Sequence, residues 1–390
     1  MLSRDELAGW LRLSNTPGIS RGTARRLLSA LGSPERVLNA ADDALRAIAG
    51  SDTVQALRAD EPRHAAQLEA TLHWLAGRDG DGIPRDIVVL GDSRYPPRLL
   101  HTADPPLLLY TVGRVELLAA DSVAIVGSRD ATPQGLDNAR DFARSLSERG
   151  LTIVSGLARG IDGAAHDGAL AGRGSTVAFV GTGLDRTYPA SHAKLMRRIA
   201  EHGLVASEYA LGTPALAEHF PRRNRLIAGV ARGTLVVEAA VKSGSLITAR
   251  LAVECGRDVF AIPGSIHSPQ ARGCHRLIQE GAKLVETAAD VLRELLPGDV
   301  PARATLSAPQ PSLFADAAMD DDDVGDEPPA ARSPDVVLRA ALGHDPVSFD
   351  ALSARTGLPA DQLAAQLLEL ELAGVVQRLP GGLLQRRGRA

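Results

Sequence analysis

Apolar residues recur at helical spacing through the first 78 positions. Leu2, Leu7, Trp10, Leu11 and Leu13 open the series, and Leu27, Leu28, Leu31, Val37, Leu38, Leu45 and Ile48 continue it. The interruption Thr16-Pro17-Gly18-Ile19-Ser20 ends a first helix, and the run Arg21 to Leu31 predicts a second that Gly32 stops. Helix, Pro-Gly turn and basic helix describe a SAM/helix-hairpin-helix-like module, whose turn amides and helix N-terminus suit a phosphate as well as a protein contact.

From Ile83 the period changes. Ile87-Val88-Val89-Leu90 and Leu107-Leu108-Leu109-Tyr110 are short apolar runs bounded by Gly and Pro, the pattern of strands. Six more runs then recur: Val123 to Val126, Leu151 to Val154, Thr176 to Val180, Leu204 to Ala206, Leu235 to Val237 and Val259 to Ile262. Between most of them lie segments of helical length, among them Gln134 to Arg149, Ser191 to Glu201 and Leu246 to Cys255. Strands that are apolar throughout, alternating with helices, predict an α/β core: a Rossmann-like, doubly wound parallel sheet.

The pattern lapses after Leu296 into a Pro/Ala/Asp-rich stretch that buries too little to order itself, the composition of a disordered linker. It recovers in Val336 to Leu342, Phe349 to Arg355 and Asp361 to Leu372, followed by apolar pairs around Pro380-Gly381-Gly382. Three helices and a hairpin predict a winged helix. Its third helix, DQLAAQLLELEL, carries acids and no Arg or Lys, which favours a protein contact over a major groove. The expected organisation is thus a helical module (1–78), a core (83–296), an acidic linker (297–334) and a winged helix (335–390).

Charge matters only once it is divided this way. The whole chain carries −4. Eight acids against two arginines between Gly298 and Pro334 contribute −6, leaving the remainder near +2 and compatible with an anionic partner. Two cysteines make no disulfide framework, which suits a reducing, cytoplasmic compartment. The N-terminus has no apolar signal segment, and no run approaches the roughly 18 apolar residues of a membrane span.

In such a sheet ligands bind beyond the carboxyl ends of the strands. There the sequence places Gly127-Ser128-Arg129, then Ser155-Gly156-Leu157-Ala158-Arg159, then Gly181-Thr182-Gly183. Glycine for close backbone approach, hydroxyl donors and a bidentate guanidinium suit phosphate oxygens. Further on, Phe220-Pro221-Arg222-Arg223-Asn224-Arg225 enters a helix predicted from Leu226 to Ala231, with Arg222, Arg225 and Arg232 near one face. The loop Ser243-Gly244-Ser245 opens the next helix and can direct amides at an anion. Catalytic patterns are poorer. Asp162 and His166, at i and i+4, could form an acid/base pair, but a helix-start acid and a structural histidine is the simpler reading. No metal-ligand spacing, G-x-S-x-G elbow or Walker lysine occurs.

These residues carry a family resemblance. VAIVGSRDATPQG from Val123, VSGLARGIDGAAHDGAL from Val154, GTGLDRTYP from Gly181, FPRRNRLIAG from Phe220 and VVEAAVKSGSLITA from Val236 resemble the DNA-processing protein A (DprA/Smf) family, over about 120–285. The resemblance implies single-stranded DNA binding, homodimerisation through the core, loading of a RecA-type recombinase during natural transformation, and no established turnover or cofactor. Carried onto this chain, the implied site is Gly127, Ser128, Arg129, Arg159, Gly181, Gly183, Arg222, Asn224 and Arg225. Some members carry a lysine directly after the Tyr-Pro of the third motif. Here that position is Ala190, and the nearest cation is Lys194, one turn on. Aromatics are only 3% of the chain, so phosphate contacts rather than base stacking are expected to dominate. The alternative is a nucleotide-processing enzyme of the phosphoribohydrolase kind, on a similar sheet. It would need a Pro-Gly-Gly-x-Gly-Thr loop followed by a catalytic Glu, and the stretch Ser243 to Thr248 lacks both.

Overall fold

The computed structural model describes residues 2–59, 62–77, 82–296, 337–338, 341–343, 346–379 and 382–386. The acidic linker expected at 297–334 lies outside them, as do Arg387 and Arg389. The helical module comprises α1 (Arg4–Asn15), α2 (Arg21–Leu31), α3 (Pro34–Asn39), α4 (Asp42–Ala49), α5 (Ser51–Arg58) and α6 (Pro62–Leu75). Ser3 starts α1 with a capping box closed by Glu6, and Gly32, at φ 90°, ends α2 as anticipated.

The core is one nine-stranded sheet. Its strands are β1 (Arg85–Val89), β2 (Leu108–Gly113), β3 (Ser122–Val126), β4 (Thr152–Ser155), β5 (Thr176–Phe179), β6 (Leu204–Ser207), β7 (Gly233–Val236), β8 (Asp258–Ala261) and β9 (Lys283–Leu284). Their order is β1-β2-β6-β5-β4-β3-β7-β8-β9. From β6 to β9 every pairing is parallel, while β2 runs antiparallel to β6 and β1 antiparallel to β2. The chain winds outward from β3 in one direction and from β7 in the other, so the crevice between their carboxyl ends is the topological switch point.

The crossovers supply α7 (Pro133–Glu148), α8 (Ile161–Ala169), α9 (Ala193–His202), α10 (His219–Val230), α11 (Gly244–Glu254), α12 (Arg272–Gln279) and α13 (Ala288–Leu295). Strand residues alternate between two cores. Ala124, Val126 and Val236 pack with Leu226, Ala249 and Cys274 on one face; Val123, Ile125 and Leu235 pack with Phe142, Leu146 and Val291 on the other. This is why those strands are apolar throughout.

The helical module is not an appendage. Leu7, Trp10, Leu27 and Leu57 share one continuous buried cluster with Ile87, Val89, Tyr110 and Val205 of the sheet. The ring of Trp74 meets Tyr110 edge-on at 5.8 Å. At the other end, α14 (Phe349–Thr356), α15 (Ala360–Leu372) and an antiparallel hairpin of β10 (Val376–Arg378) and β11 (Leu384–Arg386) form the winged helix around Leu352, Leu363, Leu367 and Val376.

Candidate nucleic-acid interface

The tips of β3 and β4 are locked together by the backbone. Ser128 donates its N–H to the Glu238 carbonyl (2.7 Å), and its own carbonyl accepts from Ile161 N (3.2 Å). Gly160, at φ 75°, lies against this contact: a Cβ there would sit 2.2 Å from the Ser128 carbonyl oxygen. The Glu238 carboxylate then accepts from Thr132 N (2.9 Å) and Thr132 Oγ1 (2.6 Å), pinning the start of α7. The loop bearing Arg129 is therefore clamped on both sides, while Arg129 itself is exposed. Gly127 stands at the root of the loop, and Arg159 lies exposed on the adjoining β4 loop.

Beneath these guanidiniums lies a buried polar layer. The Asp162 carboxylate accepts from Gly156 N (3.1 Å) and more weakly from Ala158 N (3.4 Å). Burial pushes its carboxyl above the usual range, against the field of Arg223. His166 accepts from Leu157 N (3.2 Å), while its Nδ1 lies 2.7 Å from Thr176 Oγ1, whose own proton goes to the Ile153 carbonyl (2.7 Å). That arrangement requires the neutral ring with the proton on Nδ1, and burial pushes the pKa down to about 3. Leu157, a buried non-glycine residue at φ 59°, is held in that strained conformation by this bond and by its packing. The pair considered as acid and base is thus committed to holding the β4 loop.

The arginine cluster is arranged differently from the expected single face. α10 begins at His219, seven residues before Leu226, because Pro221 falls in its first turn, where a missing N–H is harmless. Arg222 is exposed and reaches Glu218 (3.4 Å). Arg223, only 4% exposed, turns inward and donates to the carbonyls of Gly156 (2.6 Å) and Phe179, and at 3.3 Å to Asn224 Oδ1. Burial pushes its pKa down to about 10, with Asp162 opposing and Arg129 adding to the fall. Arg225 turns away altogether: 13% exposed, it bonds Glu208 and lies 3.5 Å from Asp104, so its charge is balanced internally. Arg232 lies past the helix and pairs with Asp121 (2.8 Å).

Phe220 opens α10 on the site side. Its ring lies against Gly181, within 3.3 Å of where a Cβ would be, and 5.2 Å from the ring of Tyr188. The Arg129 guanidinium sits 5.7 Å over the same ring, within cation–π range. Tyr188 is 37% exposed. Phe220 and Tyr188 lie 32 positions apart in the chain, and the fold brings their rings together on one strand-tip surface beside Arg129. Gly183 is buried, donating to the Thr213 carbonyl (3.1 Å) and accepting from Arg186 N (3.0 Å). Lys194 is exposed in the first turn of α9. Across the switch point, Ser243 caps α11 and its Oγ lies 2.7 Å from that of the buried Ser245, with Gly244 between them exposed.

The basic helix of the N-terminal module also finds its partners inside the protein. Arg21 bonds Asp104 (2.7 Å) and Glu208 (3.1 Å), and Arg25 bonds Asp104 (2.7 Å) and the Pro105 carbonyl (3.0 Å). The helix that resembled a phosphate-binding hairpin therefore docks the module on the core. Among the described residues no three metal-ligating side chains cluster, and no helix is long and apolar enough to cross a membrane.

A Rossmann-like parallel sheet joined to a winged helix, with guanidiniums and paired aromatics at its strand tips, defines the class of fold to which the chain belongs. The family model described as DNA recombination-mediator protein A matches residues 86–296, and that of the DprA winged helix domain matches 325–382. Protein Smf of Escherichia coli is 41% identical over 321 residues, covering 82% of this chain and 81% of its own. The DNA processing protein DprA of Streptococcus pneumoniae is 51% identical over 203 residues, covering 52% of this chain and 72% of its own. The solved structure of DNA processing protein A from Streptococcus pneumoniae superposes with a TM-score of 0.63 at 38% identity, covering 75% of this chain and 98% of that one. The Helicobacter pylori protein, whose description reports a single-stranded DNA binding mode, superposes with a TM-score of 0.51 at 30% identity, covering 56% and 98%. The chain belongs to the DNA recombination-mediator protein A (DprA/Smf) family, proteins of DNA processing.

Proposed function

We propose that the chain binds single-stranded DNA at the carboxyl ends of β3, β4 and β5 and delivers it to a RecA-type recombinase, without chemical turnover and without a cofactor. The observation that carries this reading is the convergence of Arg129, Phe220 and Tyr188: a cation for phosphate lies 5.7 Å from a ring that is itself 5.2 Å from a second. Exposed Arg129, Arg159, Arg222 and Lys194 supply phosphate contacts, and the two rings offer bases a stacking surface that a duplex, with its bases already stacked, does not use. The single-strand binding described for the Helicobacter pylori relative supports the same polymer here. Binding without turnover fits the buried layer, where Asp162, His166 and the Glu238 carboxylate are each engaged in holding loops.

The family's description as a recombination mediator supports hand-over to a recombinase, and a homodimer joined through the core would place two such sites on one strand. The test is a salt titration of oligo-dT and duplex binding. Wild type should prefer the single strand. Arg129→Ala should weaken binding and lower the salt slope by about 0.7 for the lost phosphate contact. Unchanged affinity together with an unchanged slope would remove Arg129 from the interface. Recombinase filament assembly on coated oligo-dT, with and without the protein, tests delivery.

A further inference from the structure

Three guanidiniums and two carboxylates meet where the helical module touches the core. Arg21 and Arg25 come from the start of α2, Arg225 from the middle of α10, Glu208 from the residue after β6, and Asp104 from the turn before β2. Arg21 bridges both acids, at 2.7 Å to Asp104 and 3.1 Å to Glu208. Glu208, only 5% exposed, is shared with Arg225. Asp104 lies 3.5 Å from the Arg225 Nε, and among the described residues that Nε and Nη1 are buried without a hydrogen-bond partner. The ion pairs to Glu208 and Asp104 therefore fix the middle of α10, and the cover provided by Arg21 and its module keeps water from the Arg225–Glu208 pair. An ion pair of that kind weakens sharply once solvent reaches it.

The same helix carries the site. Phe220, Arg222 and Arg223 occupy the turn of α10 that precedes Arg225. Resting on the single-strand reading above, we propose that Arg21 is a positioning residue for that site: it acts through Glu208 and Arg225 to set α10, and with it the Phe220 ring, against Arg129. The helical module would then tune DNA binding without touching DNA.

This separates cleanly from a direct phosphate contact. Arg21→Ala should weaken oligo-dT binding about three- to tenfold while leaving the salt slope as in wild type, because no phosphate contact is lost; Arg21→Lys should restore most of the affinity. A slope lowered by about 0.7 would make Arg21 a phosphate ligand and overturn the proposal. In a Phe220→Ala background, where α10 no longer presents its ring, Arg21→Ala should have little further effect. Full additivity there would show a general structural loss and likewise overturn it. Glu208→Gln, which keeps the side chain's shape, should repeat the Arg21→Ala result if the path runs through that carboxylate; wild-type affinity in both variants would refute it. Arg129→Ala in the same assay keeps the two ideas apart. If Arg129→Ala lowers the slope but Arg21→Ala changes nothing, only the positioning proposal fails. If Arg129→Ala changes neither affinity nor slope, the site itself was misplaced.

Discussion

Arg223 and Arg225 are two residues apart and carry the same charge, yet neither is available to a ligand, and for opposite reasons. Arg223 satisfies the carbonyl ends of β4 and β5, and Arg225 neutralises Glu208. Arg129, by contrast, is left exposed over Phe220. Phe220→Ala should therefore cost single-strand binding about 1–3 kcal/mol, the worth of one stacked base, with the salt slope retained; equal affinities of the variant and wild type for oligo-dT would show that the ring is structural. His166 offers a test of the buried layer. Its folded pKa is about 3, below the ordinary value, so the folded state resists a proton that the unfolded chain accepts. Stability is then full above the unfolded pKa of about 6.5 and falls as pH drops toward 3, by about 2 kcal/mol at pH 5. Denaturant midpoints at pH 7 and pH 5 should show that loss in wild type and a smaller one in His166→Gln.

At the scale of elements, α10 and α15 show what their composition does. A proline in the first turn lets α10 start early and carry the arginine cluster within the helix rather than ahead of it. α15 occupies the position from which a winged helix reads duplex, but it exposes Leu368 and Leu372 with Glu369 and has no cation of its own. Phosphates would meet no favourable charge there. Removing residues 335–390 should leave duplex affinity within about twofold of the full chain, measured by anisotropy at low salt. A large loss would assign duplex binding to this module. Strands and helices were legible to within a few residues wherever apolar period and turn residues agreed. The two-residue β9 was not, since Lys283-Leu284 has no period of its own and pairs only because β8 offers an edge.

Across the whole molecule, the helical module and the sheet share one buried core. Leu7, Leu27 and Leu57 bury against Ile87, Val89 and Tyr110, each such side chain being worth about 1.5–3 kcal/mol. A chain beginning at residue 83 should consequently expose that face of the sheet and either aggregate or bind a hydrophobic dye strongly. A soluble, dye-silent truncation that melts like wild type would contradict the shared core. The same integration turns Arg21 and Arg25 of the basic helix α2 inward: they meet Asp104 and Glu208 only because the module is packed on the sheet.

By itself the sequence determined the class of fold, the order of the main strands of the sheet and of several helices between them, and the loops that could meet a ligand. Those follow from local period, from glycine at tight turns and from residue type at strand tips, all of which act over a few residues. The tertiary structure decided which arginines remain open, that Tyr188 and Phe220 meet, and that the antiparallel β1 and β2 extend the sheet at one edge. These depend on which distant groups share a buried volume. A guanidinium reads the same in the sequence whether it finds Glu208, a row of carbonyls or only water; its partner is set by packing across the fold, and so the cluster at Arg222 to Arg225 could be seen in the sequence but not sorted there.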